Sequence, residues 1–454
     1  MDADLFLAQA GELLTIPSTS DRPGDLRRAL DFVIDFVGPA VTVERFESGG
    51  KPSALVYPTR TRADFRVILN AHMDVVPAPP EQFRPRRDGD RLFARGAQDM
   101  KVSALLAAQV FRDMAAQLPY PVALQLVTDE EVGGRDGTWH QLQCGVRGQF
   151  VIIGETSGLR IVTESKGIVS VTLISAGRAA HSAYQWLGDN ALAKLEASVG
   201  NLLARYPVAT EEAWRTTVTL ARVSTQNQAR NQVPADAEAW LDIRYPADDA
   251  DFSGKTAEEI TAYLDGFCEP GVRAVVDRLD SPHHADSDHP DVLGLQHAAR
   301  SQGYSGEFLR KHGAGDGRFY GQLGITAVAF GVGGSGRHGP QEYADISTIA
   351  PYYHASKSSS APSSAKDLGR GRSGPLSARR RRSFRMLLPS FLVSRLFRRA
   401  PAAAPVSSGP RENALRPARA ARRRRSSRVS GDPAAKITPP GIIETPRRCA
   451  HAAR

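Results

Sequence analysis

The segment VTDEEVGG, Val127 to Gly134, delivers two adjacent carboxylates, Glu130 and Glu131, from an apolar run straight into a glycine turn. Neighbouring carboxylates repel, and each raises the other's pKa unless a cation or a proton sits between them. Positive charge is therefore expected close by. Four more segments place metal-binding residue types at comparable points. In LNAHMDVV, His72 and Asp74 stand two apart at a strand end, so the carboxylate can hold one imidazole nitrogen while the other faces a metal. In ARGAQDMK, Asp99 follows a glycine turn and opens a helix, where an anion is stabilised by the helix N-terminus. In VIIGETSG, Glu155 follows an apolar strand, and in GSGRHGPQEY, His338 sits in a glycine-rich loop. Taken singly, His72 and Asp74 also read as a polar strand end and Asp99 as a helix cap. Gly331 to Gly336 resembles a phosphate loop only faintly, since no Lys-Ser/Thr follows. Taken together, two histidines and three carboxylates suit a pair of zinc ions about 3.5 to 4 Å apart with one carboxylate bridging, and leave Glu130 free as a base.

The elements that must position these residues alternate in kind. Leu5 to Leu14 and Leu26 to Val37 carry apolar residues at helical spacing, as does Lys101 to Met114. Val41 to Arg45, Ser53 to Tyr57, Arg66 to Asn70, Val122 to Val127 and Phe150 to Ile153 read as strands. Helices alternating with buried strands predict an α/β sandwich whose ligand sites gather at strand ends. From about Ile161 to Asp280 the pattern becomes a smaller α+β unit, with strands at Gly167 to Ser175, Thr216 to Ser224 and Ala237 to Tyr245 and helices at Asn190 to Tyr206 and Thr256 to Cys268. It reads as an insertion, because strand and glycine motifs of the first kind resume at Ile325 to Phe330. The expected organisation is a catalytic part over 1–160, an inserted domain over 161–281, a second catalytic part over 282–356 and an Arg-rich tail over 357–454.

Charge separates that tail from the rest. The 454 residues carry a net charge of +9, but Lys357 to Arg454 holds 24 Lys and Arg against four Asp and Glu, a charge of +20 that leaves −11 for residues 1–356. Arginine runs with Ser, Pro and Ala and little periodicity are a disorder composition, so the tail is expected to lie outside the enzyme fold, with a shifted reading frame as one origin. No stretch approaches the roughly 18 apolar residues that span a bilayer. The acidic N-terminus is unlike a secretory signal, and three widely spaced cysteines make neither a disulfide framework nor a C-x-x-C site. A cytoplasmic protein is expected.

The order of the motifs, His-x-Asp, Gly-x-x-Asp-Met-Lys, Asp-Glu-Glu-x-Gly, Gly-Glu-Thr and a late His-x-x-x-Glu-Tyr, resembles the dizinc metallopeptidase family of acetylornithine deacetylase, succinyl-diaminopimelate desuccinylase and glutamate carboxypeptidase, over about residues 5–355. The resemblance implies a zinc-peptidase-like α/β sandwich with an inserted α+β lid that often mediates dimerisation. It implies that His72, Asp99 and Glu155 bind one zinc and Asp99, Glu131 and His338 the other, with Asp99 and a hydroxide bridging. Cobalt or manganese would also suit these ligands. It further implies that Asp74 orients His72 and that Glu130 moves the proton in amide hydrolysis. GRAAHSAYQWLGDNAL matches the lid's His-Ser start and later Asn, making His181 an oxyanion stabiliser supplied by either subunit. Asn231 in ARNQVP and Arg244 in LDIR match substrate-contacting positions, and Asp316 and Arg318 in GAGDGRF match a glycine-rich loop.

The chain departs from the family where Ala183-Tyr-Gln-Trp-Leu follows His-Ser in place of a proline and a compact run, where Val102 and Ser103 replace glycines, and where Thr156-Ser157 replaces Pro-Thr. PHHADSDHP, with His283, His284 and His289, reads either as a further metal site or as a polar linker where the lid rejoins the body. The implied substrate is a small N-acyl amino acid or peptide with a free carboxylate. The competing expectation is an inactive hydrolase fold that binds nucleic acid or anionic surfaces through its tail, although Phe384, Phe391 and Phe397 are the only aromatic residues in the tail sequence, which gives base stacking little support.

Overall fold

The structure is a computed structural model that describes residues 2–58 and 64–359. The tail expected from residue 357 lies outside the described residues from 360 onward. The larger sheet runs in the order Thr42–Ser48, Lys51–Tyr57, Val122–Val127, Phe65–His72, Gly148–Ile153, Thr326–Ala329, Ile161–Ser165 and His283–His284, with Phe308–Lys311 beside Ile161–Ser165. Its centre is parallel: Phe65–His72 pairs in parallel with both Val122–Val127 and Gly148–Ile153, which pairs in parallel with Thr326–Ala329. Parallel strands are covered on both faces and read as continuous apolar runs. All six residues of Val122–Val127 are buried accordingly. Alternate residues feed two cores: Leu69, Leu124 and Ile152 pack on one face, and Ile68, Ala123 and Val151 on the other. The helix Val102–Met114 is buried almost all round and packs against Pro23–Val37 and Ile349–Ser359.

Register fixes where the site must lie. His72 pairs with Val127, Asn70 with Ile153, and Ile153 with Ala329, so four strands end along one edge of the sheet. The segments that follow them carry Glu130 and Glu131, Glu155 and His338. In open parallel sheets this carboxyl edge is where ligands bind.

The lid is an antiparallel sheet in the order Thr217–Ser224, Asp236–Tyr245, Gly167–Ala176 and Val272–Asp280. Its strands alternate buried and half-exposed residues, as a sheet covered on one face must. Helices Ala191–Arg205 and Ala257–Asp265 cover that face with Leu195, Leu202, Ile260 and Leu264 against Val169, Val171 and Leu173. Asn190 caps the first helix by accepting from the Leu192 and Ala193 amides, and Thr256 forms a capping box with Glu259 at the second. The crossover expected at residue 161 moves to Lys166, because Ile161–Ser165 pairs within the larger sheet and the lid sheet opens at Gly167. Among the described residues no helix is long and apolar enough to cross a membrane.

Candidate metal centre

His72 ends its strand 1% exposed. Its Nε2 lies 3.0 Å from Asp99 Oδ1 and 3.3 Å from Glu155 Oε1. Its Nδ1 donates to the Asp74 backbone carbonyl at 3.0 Å, with the Asp74 carboxylate at 3.5 Å. That carboxylate is engaged elsewhere: its two oxygens accept the Glu130 amide at 3.2 Å and the Glu131 amide at 2.9 Å. One aspartate thus fixes both the imidazole and the turn that carries the paired glutamates. On the other side, His338 Nε2 lies 3.4 Å from Asp99 Oδ2 and 3.2 Å from Glu131 Oε2. His338 holds a left-handed backbone conformation at φ 61°, uncommon for a residue with a side chain and frequent at functional sites.

These contacts form two groups of potential ligands. His72, Glu130 and Glu155 present ligand atoms within 4.8 Å of one another, and so do Asp99, Glu131 and His338. Asp99 joins the groups, since Oδ1 faces His72 and Oδ2 faces His338. The donors are carboxylate oxygens and imidazole nitrogens without thiolate, a set that suits zinc, cobalt or manganese. The electrostatics agree with a place for cations. Burial, and then the neighbouring Glu155, pushes the Glu130 carboxyl well above its usual range; burial and Asp99 raise Glu131 to about 7. Burial would raise Asp99 as well, but His338 and His72 overcome it and hold that carboxyl low. Burial would lower His72, yet its bonds to Asp74, Asp99 and Glu155 carry it well above the ordinary histidine value.

Three contributors carried no assigned role in the sequence. Glu342, the acid of the late His-x-x-x-Glu-Tyr motif, is 3% exposed and ion-paired to buried Arg95. Its Oε1 accepts the Gln98 and Asp99 amides at 3.1 Å each, which fixes the backbone of Asp99. Asp99 is therefore held from outside and makes no cap bond to the helix that follows, which begins at Val102. Lys311 Nζ lies 3.8 Å from Glu155 Oε2, and Arg337 Nη1 lies 3.6 Å from Asp99 Oδ2. Long-range contacts of this kind leave no spacing signal, although the motif itself pointed to Glu342.

A cavity of about 350 Å³ opens over the centre, with Asp99, Glu130, Glu131 and Glu155 on the body side and Ile168, Arg244 and Arg278 on the lid side. Arg244 thus faces the centre, whereas His181 and Asn231 are exposed on the lid and do not line this cavity. His181 Nδ1 instead accepts the Ala183 amide at 3.1 Å. Arg318 reaches the cavity wall only 3% exposed, and its two Nη groups donate to the carbonyls of Gly315 and Gly133 at 2.7 Å each. It braces two loops. Asp316 is buried against the Thr138 hydroxyl at 2.5 Å and is raised by burial to about 6. The three histidines of PHHADSDHP are not gathered: His283 is buried against the Ala327 carbonyl, and His289 caps Pro290–Ser301 and stacks on Phe150.

Residues 68–358 match the family model of peptidase family M20/M25/M40. The chain belongs to that family. This M20-family chain is 32% identical over 274 residues to a probable carboxypeptidase of Aspergillus terreus, a match that covers 53% of this chain and 60% of that protein. The chain thus spans less than two thirds of that relative's length. Among solved structures, a tripeptidase from Staphylococcus aureus aligns with a TM-score of 0.65 at 18% identity, over 79% of this chain and 98% of that one. An M20 family metallo-carboxypeptidase from Sulfolobus solfataricus aligns at 0.63 and 18%, over 78% and 98%. At that identity the likeness establishes the fold: an M20-like α/β sheet with a separate antiparallel lid. Membership implies a dinuclear metal site, and the two ligand groups joined by Asp99 are where this chain's residues fit one.

Proposed function

We propose that this chain is a dizinc amidohydrolase that cleaves the amide bond of an N-acyl amino acid or small peptide bearing a free carboxylate. The observation that carries the reading is Asp99, one buried carboxylate spanning two ligand groups. His72, Asp99 and Glu155 would hold one ion and Asp99, Glu131 and His338 the other. Such a pair supplies a Lewis acid for the scissile carbonyl and makes water acidic enough to attack near neutral pH. The remaining steps belong to side chains. Glu130, on the turn that Asp74 fixes, takes the proton from the attacking water and returns it to the leaving amine. Arg244, clamped side-on by Asp242 at 2.6 and 2.9 Å, keeps Nη1 for the substrate carboxylate. His181 is exposed away from the cavity of its own chain, so its oxyanion role is assigned to the site of a second copy in a homodimer formed through the lid.

The test is metal content by plasma mass spectrometry on zinc-supplied protein, with a screen of N-acyl amino acids and dipeptides. About two zinc per chain are expected in the wild type, falling towards one or none in Glu131→Ala together with the activity. A folded wild type that takes up no zinc would sink the reading.

A further inference from the structure

The lid wall of the cavity carries a guanidinium that the hydrolytic steps leave unused. Arg278 lies on Val272–Asp280, where a bulge between Val276 and Arg278 shifts the pairing with Gly167–Ala176. Register sets Arg244, Ile168 and Asp280 abreast on three neighbouring strands, and Arg278 stands two residues from Asp280 on the same face. Adjacent strands lie about 4.8 Å apart and two residues rise about 6.6 Å, so Arg244 and Arg278 are rooted roughly 12 Å from each other. Ile168 stands between them, and all three line the cavity.

Arg278 is anchored by one edge and open at the other. Its Nε donates to Asp280 Oδ2 at 2.5 Å, and among the described residues its Nη groups make no hydrogen bond. That open end borders Gly133, next to the turn that carries Glu130 and Glu131: a Cβ at Gly133 would stand 3.5 Å from Nη2. Arg318 differs, since both its Nη groups are spent on carbonyls. Asp280, 1% exposed, serves Arg135 as well as Arg278 and has Arg318 at 3.8 Å. One carboxylate facing three guanidiniums leaves positive charge in surplus on this wall. The acids on the opposite wall are the ones that two divalent ions would neutralise, so the loaded cavity presents positive charge to its substrate.

We propose that Arg278 determines specificity by binding a second carboxylate on the substrate, so that the preferred substrates are N-acyl or peptidyl derivatives of acidic amino acids. This rests on the hydrolase reading above, with Arg244 on the α-carboxylate. Charge-assisted bonds from a guanidinium to a carboxylate are about 2.7–2.9 Å long and roughly twice as strong as neutral ones. Two guanidiniums rooted roughly 12 Å apart, each on a long side chain, can therefore close on both ends of a glutamate-sized dianion.

The deciding experiment titrates glutarate and butyrate calorimetrically into the zinc-supplied full chain, which requires no turnover. The wild type is expected to bind glutarate about tenfold more tightly or better. Arg278→Gln is expected to bring the two affinities to within about twofold, and Arg278→Lys, which keeps a cation beside Asp280, to retain part of the preference. Equal affinities in the wild type, or an undiminished preference in Arg278→Gln, overturn the proposal. The kcat/KM ratio of N-acetylglutamate to N-acetylglutamine reads the same contact in turnover, and its collapse in Arg278→Gln supports it. Should the wild type turn over no N-acyl amino acid or dipeptide, the hydrolase reading fails, while the titrations still decide what Arg278 binds.

Discussion

Asp74 does more than its place beside His72 suggests. Each of its carboxylate oxygens accepts one backbone amide, from Glu130 and from Glu131, so the residue fixes a proposed ligand and the proposed proton carrier together. Asparagine at this position has one acceptor oxygen and turns an NH2 group towards an N–H, leaving two donors face to face. Asp74→Asn is therefore expected to lower kcat by about 10- to 100-fold, the range seen when groups that orient metal ligands are changed. Zinc content should fall less than in Glu131→Ala, because every proposed ligand remains. Steady-state kinetics with metal analysis of the same preparation checks both; unchanged kcat would mean that the Glu130 turn holds its place without Asp74. Sequence reading reached the five ligand candidates because each sits directly after an apolar run or a glycine turn. The contacts that orient them were hidden, since the Asp74 to Glu130 bond joins residues 56 apart and the Glu342 to Asp99 bond residues 243 apart.

At the scale of elements, the parallel strands were legible because burial on both faces forces continuous apolar runs. The lid crossover was not, because Ile161–Ser165 and Gly167–Ala176 follow each other as similar strands and only pairing assigns them to different sheets. The return from the lid shows the same limit. His283 and His284 read as part of a polar linker or a metal site, yet they form a short strand against Glu164 and Ser165 with His283 4% exposed. Burial pushes the His283 imidazole down to about 4, and its Nε2 faces the Ala327 carbonyl at 2.8 Å, so the neutral ring is the donor there. In the unfolded chain the ring protonates near 6.5. Between those values the unfolded state binds more protons than the folded state. Stability from the neutral ring is thus present above about 6.5 and lost as pH falls towards 4, by on the order of 3 kcal/mol. Urea unfolding of wild type and His283→Gln at pH 7.5, 6, 5 and 4.5 measures this. The wild type should lose more stability than the variant over that range, and parallel curves would remove His283 as the cause.

At the scale of the molecule, the lid exposes apolar surface that no other described residue covers. Tyr184 is 52%, Trp186 74% and Leu187 59% exposed in the segment after His181, and Val223 and Trp240 are 49% and 44% exposed on neighbouring strands. Thr217–Ser224 is an edge strand of the lid sheet, and an edge offers unpaired backbone groups to another strand. Exposed apolar clusters beside such an edge mark interaction surfaces, and a second copy of the chain is the occupant that would also bring His181 to an active site. If sites are completed across the dimer, two inactive variants can rescue each other. His181→Ala lacks only the donated imidazole and Glu130→Gln lacks only the proton carrier, so a mixed dimer contains one site with both residues intact. Random exchange makes half of the dimers mixed, and activity should recover to about a quarter of the wild-type value. Light scattering first establishes the dimer, and Trp186→Glu should shift it towards monomer. Recovery on mixing, measured after subunit exchange, separates a shared site from mere association: a dimer whose mixed variants stay inactive would confine His181 to its own chain or to no catalytic role.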